Sequence, residues 1–161
     1  FDTFVKGARE LPDVQFIWVG GIPFKAAGAD YARLHHQMKN APANVLITDV
    51  IKLDQARLYM KAGDLMFMPS TQETFGLAII EGAASGMPVI VRNIHDYDAT
   101  FGDLVTRCSE DKFAGTIRDF MADNDLYEEG QRKSKRLAEK YDSKAIGQQL
   151  MAIYRQELSD K

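Results

Sequence analysis

Two glutamates in the run Pro-Ser-Thr-Gln-Glu-Thr-Phe-Gly-Leu-Ala-Ile-Ile-Glu-Gly, Glu73 and Glu81, are spaced for ligand chemistry. Glu81 is the one charged residue between Thr74 and Val91, in a helical stretch otherwise made of Leu, Ala, Ile, Gly and Ser. A helix that is apolar all round is expected to be buried. A carboxylate carried into it is costly unless it is hydrogen-bonded or neutralised. Vicinal hydroxyls, as on a ribose, would serve as donors to such a fixed acceptor. A bond to Ser85 one turn on, or to a backbone amide of another element, would satisfy Glu81 equally well.

Glu73 precedes the same helix, whose first turn is expected to be Phe75-Gly76-Leu77. The free amides and positive dipole end of that turn suit phosphate oxygens or sugar hydroxyls. A carboxylate beside them could accept from a sugar hydroxyl, or Glu73 could simply cap the helix. Five helical residues from Gly76 to Glu81 advance about 7–8 Å. That separation suits two parts of one ligand and gives no ground for an acid/base pair of a hydrolase. A second turn, Gly20-Gly21-Ile22-Pro23, allows a sharp bend and close approach of backbone amides to an anion. It lacks the Gly-x-Gly-x-x-Gly order of a dinucleotide site. His35 and His36 are adjacent, so on a helix they diverge by about 100° and make no metal-binding pair. No metal or cofactor is expected.

The elements that must position these residues follow from period and punctuation. Phe1, Phe4, Val5, Ala8 and Leu11 recur at helical spacing, which leads us to expect a fragment of a longer protein that begins in or at the edge of a helix. Val14–Val19, Asn44–Thr48, Asp64–Met68 and Met87–Val91 are short, apolar and bounded by turn residues, as buried strands are. Helices are expected near Asp30–Lys39, Leu53–Ala62 and Phe75–Ser85, with Gly86 as a C-terminal stop. This alternation predicts an α/β fold: a Rossmann-like, doubly wound parallel sheet covered on both faces. A short strand is expected at Leu104–Thr106, then helices near Asp111–Ala122, Asp125–Lys140 and Ser143–Leu158. The last two are expected to cover the outside of the sheet, the final one through the stripe Ile146, Leu150, Ile153 and Tyr154. In such sheets ligands bind beyond the carboxyl ends of the strands, which is where both turns fall.

The chain has 161 residues, enough for one domain with a real core, and no internal linker is visible. A net charge of −3 with both signs interspersed argues against a dedicated nucleic-acid binder. No apolar run approaches the roughly 20 residues that span a bilayer, and no signal peptide is expected. The single Cys108 makes no internal disulfide, which points to a reducing compartment, the cytoplasm.

The ordered series Pro69-Ser70-x-x-Glu73-x-Phe75-Gly76-Leu77-x-x-x-Glu81-Gly-Ala-Ala-Ser-Gly86-x-Pro88-Val89-Ile90 resembles the Glu-x7-Glu signature of group 1 (family 4) retaining glycosyltransferases. The likeness extends over nearly the whole chain, with Phe16–Gly21 similar to the family's Val-Gly-Gly strand end. It implies the C-terminal, nucleotide-sugar-binding domain of a GT-B enzyme, residues 1–161, with the N-terminal acceptor domain outside this chain. It further implies that Glu73 contacts hydroxyls of the donor hexose and Glu81 the ribose. The amides of Phe75, Gly76 and Leu77 would hold the hexose and distal phosphate. Gly20 and Gly21 would line the diphosphate, and main chain near Val50 would meet the base. On the family's front-face mechanism Glu73 positions and stabilises; it is not a demonstrated nucleophile.

Two departures bear on these expectations. Position 82 is Gly where the family usually has Ala, a change expected to loosen the helix. The Arg and Lys that clamp the diphosphate in the family would lie upstream of Phe1, so this fragment alone is expected to be inactive. In the family the last helix crosses back onto the N-terminal domain, a competing expectation for its stripe. Residues 91–98, Val-Arg-Asn-Ile-His-Asp-Tyr-Asp, resemble the corresponding segment of bacterial diacylglycerol glucosyltransferases. That likeness implies UDP-glucose as donor and a membrane lipid as acceptor, with the full-length protein peripheral at the inner membrane face. His95 reads equally as an exposed loop residue. The alternatives are a non-catalytic nucleotide-sugar-binding module, against which both glutamates speak, and a nucleotide-sugar epimerase, which lacks this signature.

Overall fold

The computed structural model describes residues 1–22 and 30–159. Helices and strands alternate in the expected order: α1 (Asp2–Glu10), β1 (Phe16–Trp18), α2 (Tyr31–Lys39), β2 (Val45–Ile47), α3 (Leu53–Ala62), β3 (Met66–Met68), α4 (Leu77–Ala84) and β4 (Val89–Arg92). One-turn helices at His95–Tyr97 and Glu110–Lys112, with β5 (Thr106–Cys108), α5 (Phe113–Ala122), α6 (Asn124–Lys140) and α7 (Ser143–Ser159), complete the described chain. All strand pairs are parallel. β1 pairs with β2, and β4 lies between β3 and β5, with Phe67 opposite Ile90 and Ile90 opposite Thr106. The two ladders meet through side chains, the Phe16 and Phe67 rings lying edge to face at 6.3 Å.

β4 shows why the sheet is doubly wound. Its side chains alternate between two cores, as successive residues of a strand must. Ile90 joins Phe4, Ala8, Phe113, Ile117 and Phe120 on the α1–α5 side. Val89 and Val91 join Ile79, Ala83, Tyr97, Phe101 and Leu137 on the α4–α6 side. α6 is seated closely: a Cβ at Gly130 would meet Phe120 and Pro88 atoms at 2.7 Å, and Ser134 Oγ donates to Met87 O at 2.6 Å.

Four expectations change. The fifth strand lies at Thr106–Cys108 rather than Leu104–Thr106, because Leu104 and Val105 fill the second core and the Leu104 amide closes a turn onto Phe101 O. Helix α4 begins at Leu77, not Phe75, because Gly76 adopts φ 83 as its N-cap. Gly82 is not slack. A Cβ there would meet Met66 Cγ at 2.8 Å, so the glycine lets α4 approach β3. Finally, α7 covers no part of the sheet: it has no buried residue, and Ile146, Leu150, Ile153 and Tyr154 are all exposed.

Candidate functional site

The β3–α4 loop owes its geometry to local sequence. Pro69 ends β3, and Gly76 turns the chain left-handed, a conformation that glycine adopts without a side-chain penalty. The position is also crowded: a Cβ would meet Ile79 Cδ1 at 3.0 Å and the Phe101 ring at 3.2 Å. Once turned, Gly76 O accepts from the Ile79 amide at 2.9 Å and the helix begins. The amides of Phe75, Gly76, Leu77 and Ala78 donate to no acceptor among the described residues. Four free donors at a helix start form a ready anion or hydroxyl site.

Glu73 stands just before these amides and is half-buried. Its Oε1 accepts from the Thr74 amide at 3.0 Å, so it folds over the loop and leaves the α4 amides uncapped. Its own amide donates to Asp96 Oδ2 at 2.9 Å. Glu81 is exposed, which overturns the expectation of a buried carboxylate. Ile79, Gly82 and Ala83 take the packed sides of α4, while Leu77, 66% exposed, and Glu81 share the open side one turn apart. Ser85 Oγ donates to the Glu81 main-chain oxygen at 3.0 Å, not to its carboxylate. No desolvation penalty therefore argues for a ligand at Glu81. Its case rests on position: an accessible carboxylate one turn beyond the free amides.

At the ends of β1 and β2 the structure brings together Gly20, Gly21 and Val50. Gly20 N donates to Thr48 Oγ1 at 3.1 Å, and Gly21 packs so closely that a Cβ would lie 2.9 Å from Val50 N. Asp49, at φ 59, holds the Val50 amide with Oδ1 at 2.8 Å. Val50 itself is 63% exposed. Pro23, the last residue of the glycine turn, lies outside the described residues.

The turn after β4 contributes residues that periodicity does not reveal. Asp96 reaches Glu73 across 23 positions in sequence. Tyr97 is 1% exposed, and its hydroxyl lies beside Ser70 without completing a hydrogen bond. Burial first, then the negative charges of Glu73 and Asp96, push its phenol up to about 12. Arg107 of β5 hydrogen-bonds Asp98 and holds that carboxyl below its ordinary range; Asp98 Oδ2 also meets the exposed His95 Nδ1 at 2.5 Å. Arg92 spans the edge, bonding Pro69 O, Thr3 Oγ1 and Glu110 Oε2. Among the described residues no group of three or more His, Cys, Asp or Glu is placed to hold a metal ion.

Residues 2–141 match the family described as "Glycosyl transferases group 1". The chain belongs to that family. Alpha-galactosylglucosyldiacylglycerol synthase of Streptococcus pneumoniae is 25% identical over 95% of this chain and 41% of its own length. Processive diacylglycerol alpha-glucosyltransferase of Acholeplasma laidlawii is 34% identical over 58% of this chain and 27% of its own length. The chain thus spans well under half of either relative. Among solved structures, sucrose-phosphate synthase from Thermosynechococcus elongatus superposes with a TM-score of 0.81 at 24% identity, covering 99% of this chain and 42% of that one. Anabaena HepE, solved with UDP and glucose, gives 0.78 at 23% identity, covering 96% of this chain and 44% of that one. These likenesses show the fold, a Rossmann-like α/β domain.

Proposed function

We propose that this group 1 domain binds the nucleotide-sugar donor of a retaining hexosyltransferase, with UDP-glucose as donor and a lipid hydroxyl as acceptor. The observation that carries the reading is the row of four unpartnered amides at the start of α4, flanked by the free carboxylate of Glu81 and the inward-folded Glu73. Sugar hydroxyls donate to Glu73, the amides of Phe75, Gly76 and Leu77 donate to the distal phosphate and hexose oxygens, and the ribose hydroxyls donate to Glu81. Gly20 and Gly21 give the diphosphate room, and the Val50 carbonyl meets the base.

In the reaction, the bond from the anomeric carbon to the phosphate oxygen breaks as the acceptor oxygen adds on the same face. The departing diphosphate takes the acceptor proton. Glu73 orients the hexose and stabilises the positive charge that develops on it. Arg92 pairs with Glu110 and Arg107 with Asp98; on the resemblance to the family, the cations that counter the diphosphate belong to the preceding half of the whole protein. That half also brings the acceptor. The names of the two diacylglycerol-modifying relatives support the lipid acceptor, and with such an acceptor the whole protein would work at the inner face of a membrane. Among the described residues no helix is long and apolar enough to cross one.

Titrating UDP-glucose into this chain should shift the amide resonances of Phe75–Leu77 and Glu81, at millimolar ligand. If saturating UDP and UDP-sugars leave all of them in place, the assignment is wrong. In the full-length protein Glu73→Gln should lower kcat at least about tenfold, as loss of a transition-state contact does. Glu81→Gln should chiefly raise the donor KM and the UDP inhibition constant.

A further inference from the structure

The loop that carries Glu73 is irregular from Pro69 to Gly76, so its shape depends on groups outside it. Among the described residues two side chains from elsewhere hydrogen-bond its main chain, and both come from β4 and its extension. Arg92 Nε donates to Pro69 O at 3.1 Å, where the loop leaves β3. Asp96 Oδ2 accepts from the Glu73 amide at 2.9 Å, at the residue that matters most. We infer that Asp96 is the positioning residue for Glu73, fixing where that carboxylate stands relative to the donor hexose; this rests on the donor-site reading above.

The turn that presents Asp96 is built without help from its carboxylate. Tyr97 is buried against Phe101, with ring centroids 5.3 Å apart. The Phe101 amide donates to Tyr97 O at 3.0 Å, and Thr100 Oγ1 donates to the Asp96 main-chain oxygen at 3.2 Å. Asp98 is bound from two sides, by Arg107 and His95. Asp96 Oδ2 is therefore an acceptor on a rigid mount, aimed at a loop that would otherwise be loose. The link is a charge-assisted bond from a fixed platform to the backbone of a ligand-binding residue, and such supporting bonds set placement at the sub-ångström level.

The test uses the full-length protein with Asp96→Ala, Asp96→Asn and Asp96→Glu, measuring kcat, donor KM and the inhibition constant of UDP. Misplacement by about 1 Å can cost about a hundredfold, so Asp96→Ala should lose about ten- to a hundredfold in kcat. UDP lacks the hexose, so its inhibition constant should stay within about twofold, as expected if the ribose and phosphate contacts are intact. Asp96→Asn keeps an oxygen acceptor and should recover most of kcat. Asp96→Glu keeps the charge but displaces it by one methylene, and should be slow; it decides the matter if the alanine variant does not fold. Wild-type kcat in Asp96→Ala or Asp96→Glu overturns the inference, as does a parallel loss of UDP affinity. Glu73→Gln separates the two failures. If it is slow while Asp96→Ala is normal, the positioning role alone fails; if Glu73→Gln is itself normal, the donor-site reading has failed and this inference with it.

Discussion

Gly76 decides whether the α4 amides face outward, because it supplies the left-handed residue from which the helix starts. An alanine there meets both an unfavourable φ and contacts of 3.0–3.2 Å with Ile79 and Phe101. Gly76→Ala should destabilise the domain by about 1–3 kcal/mol, measurable by denaturant unfolding, and should weaken UDP-sugar binding in the fraction that stays folded. Tyr97 makes a second prediction at this scale. Its phenol titrates near 12 when folded and near 10 when unfolded, so between those values the unfolded chain loses a proton that the folded chain keeps. The Tyr97 contribution is complete below about pH 10 and is lost as pH rises toward 12. Tyr97→Phe should remove that alkaline component, seen as a flatter dependence of unfolding free energy on pH in that window, with little change at neutral pH. Glu73 and Glu81 stand out in the sequence as candidates through the ordered series over residues 69–90. Asp96 is not, because a contact made across 23 positions has no periodic signature.

At the scale of elements, α4 shows how composition and burial can part. Its residues are so uniformly apolar that period cannot say which side is open; the neighbours choose, with β3 against Gly82 and α6 along the other flank. Gly82→Ala should gain about 1 kcal/mol of helix propensity, yet overpacking against Met66 Cβ and Cγ costs about 1–3 kcal/mol. A net loss is expected, and Met66→Ala, which removes the crowded Cγ and Sδ, should lessen that loss in a double-mutant cycle of unfolding free energies. Strand and helix existence was readable throughout, since each segment carries its own period and turn residues. β5 slipped by two residues because Leu104 and Val105 have strand-like composition but are spent in the core before pairing begins.

For the whole molecule, α7 is the informative element. Ile146, Leu150, Ile153 and Tyr154 are exposed, so within this chain they contribute little burial. Replacing Leu150 and Tyr154 by Ser should leave the unfolding midpoint of this chain unchanged within error. In the full-length protein the same pair should lower thermal stability or donor-dependent turnover, if the stripe is covered by the preceding half as the proposed two-domain arrangement requires. An unchanged full-length protein would remove α7 from that interface. The periodicity of the stripe predicts that it packs on something but does not say on what.

By itself, the sequence determined the α/β class, the order of the elements and the residues 69–90 signature, because these rest on local period, turn chemistry and ordered spacing. The tertiary structure decided that Glu81 lies open to solvent, that Gly82 is a close-packing site, that Asp96 grips Glu73 and that α7 covers no part of the sheet. Each of those depends on which faces of distant segments meet. Burial and long-range hydrogen bonding are properties of pairs of elements, whereas a sequence displays its elements one at a time.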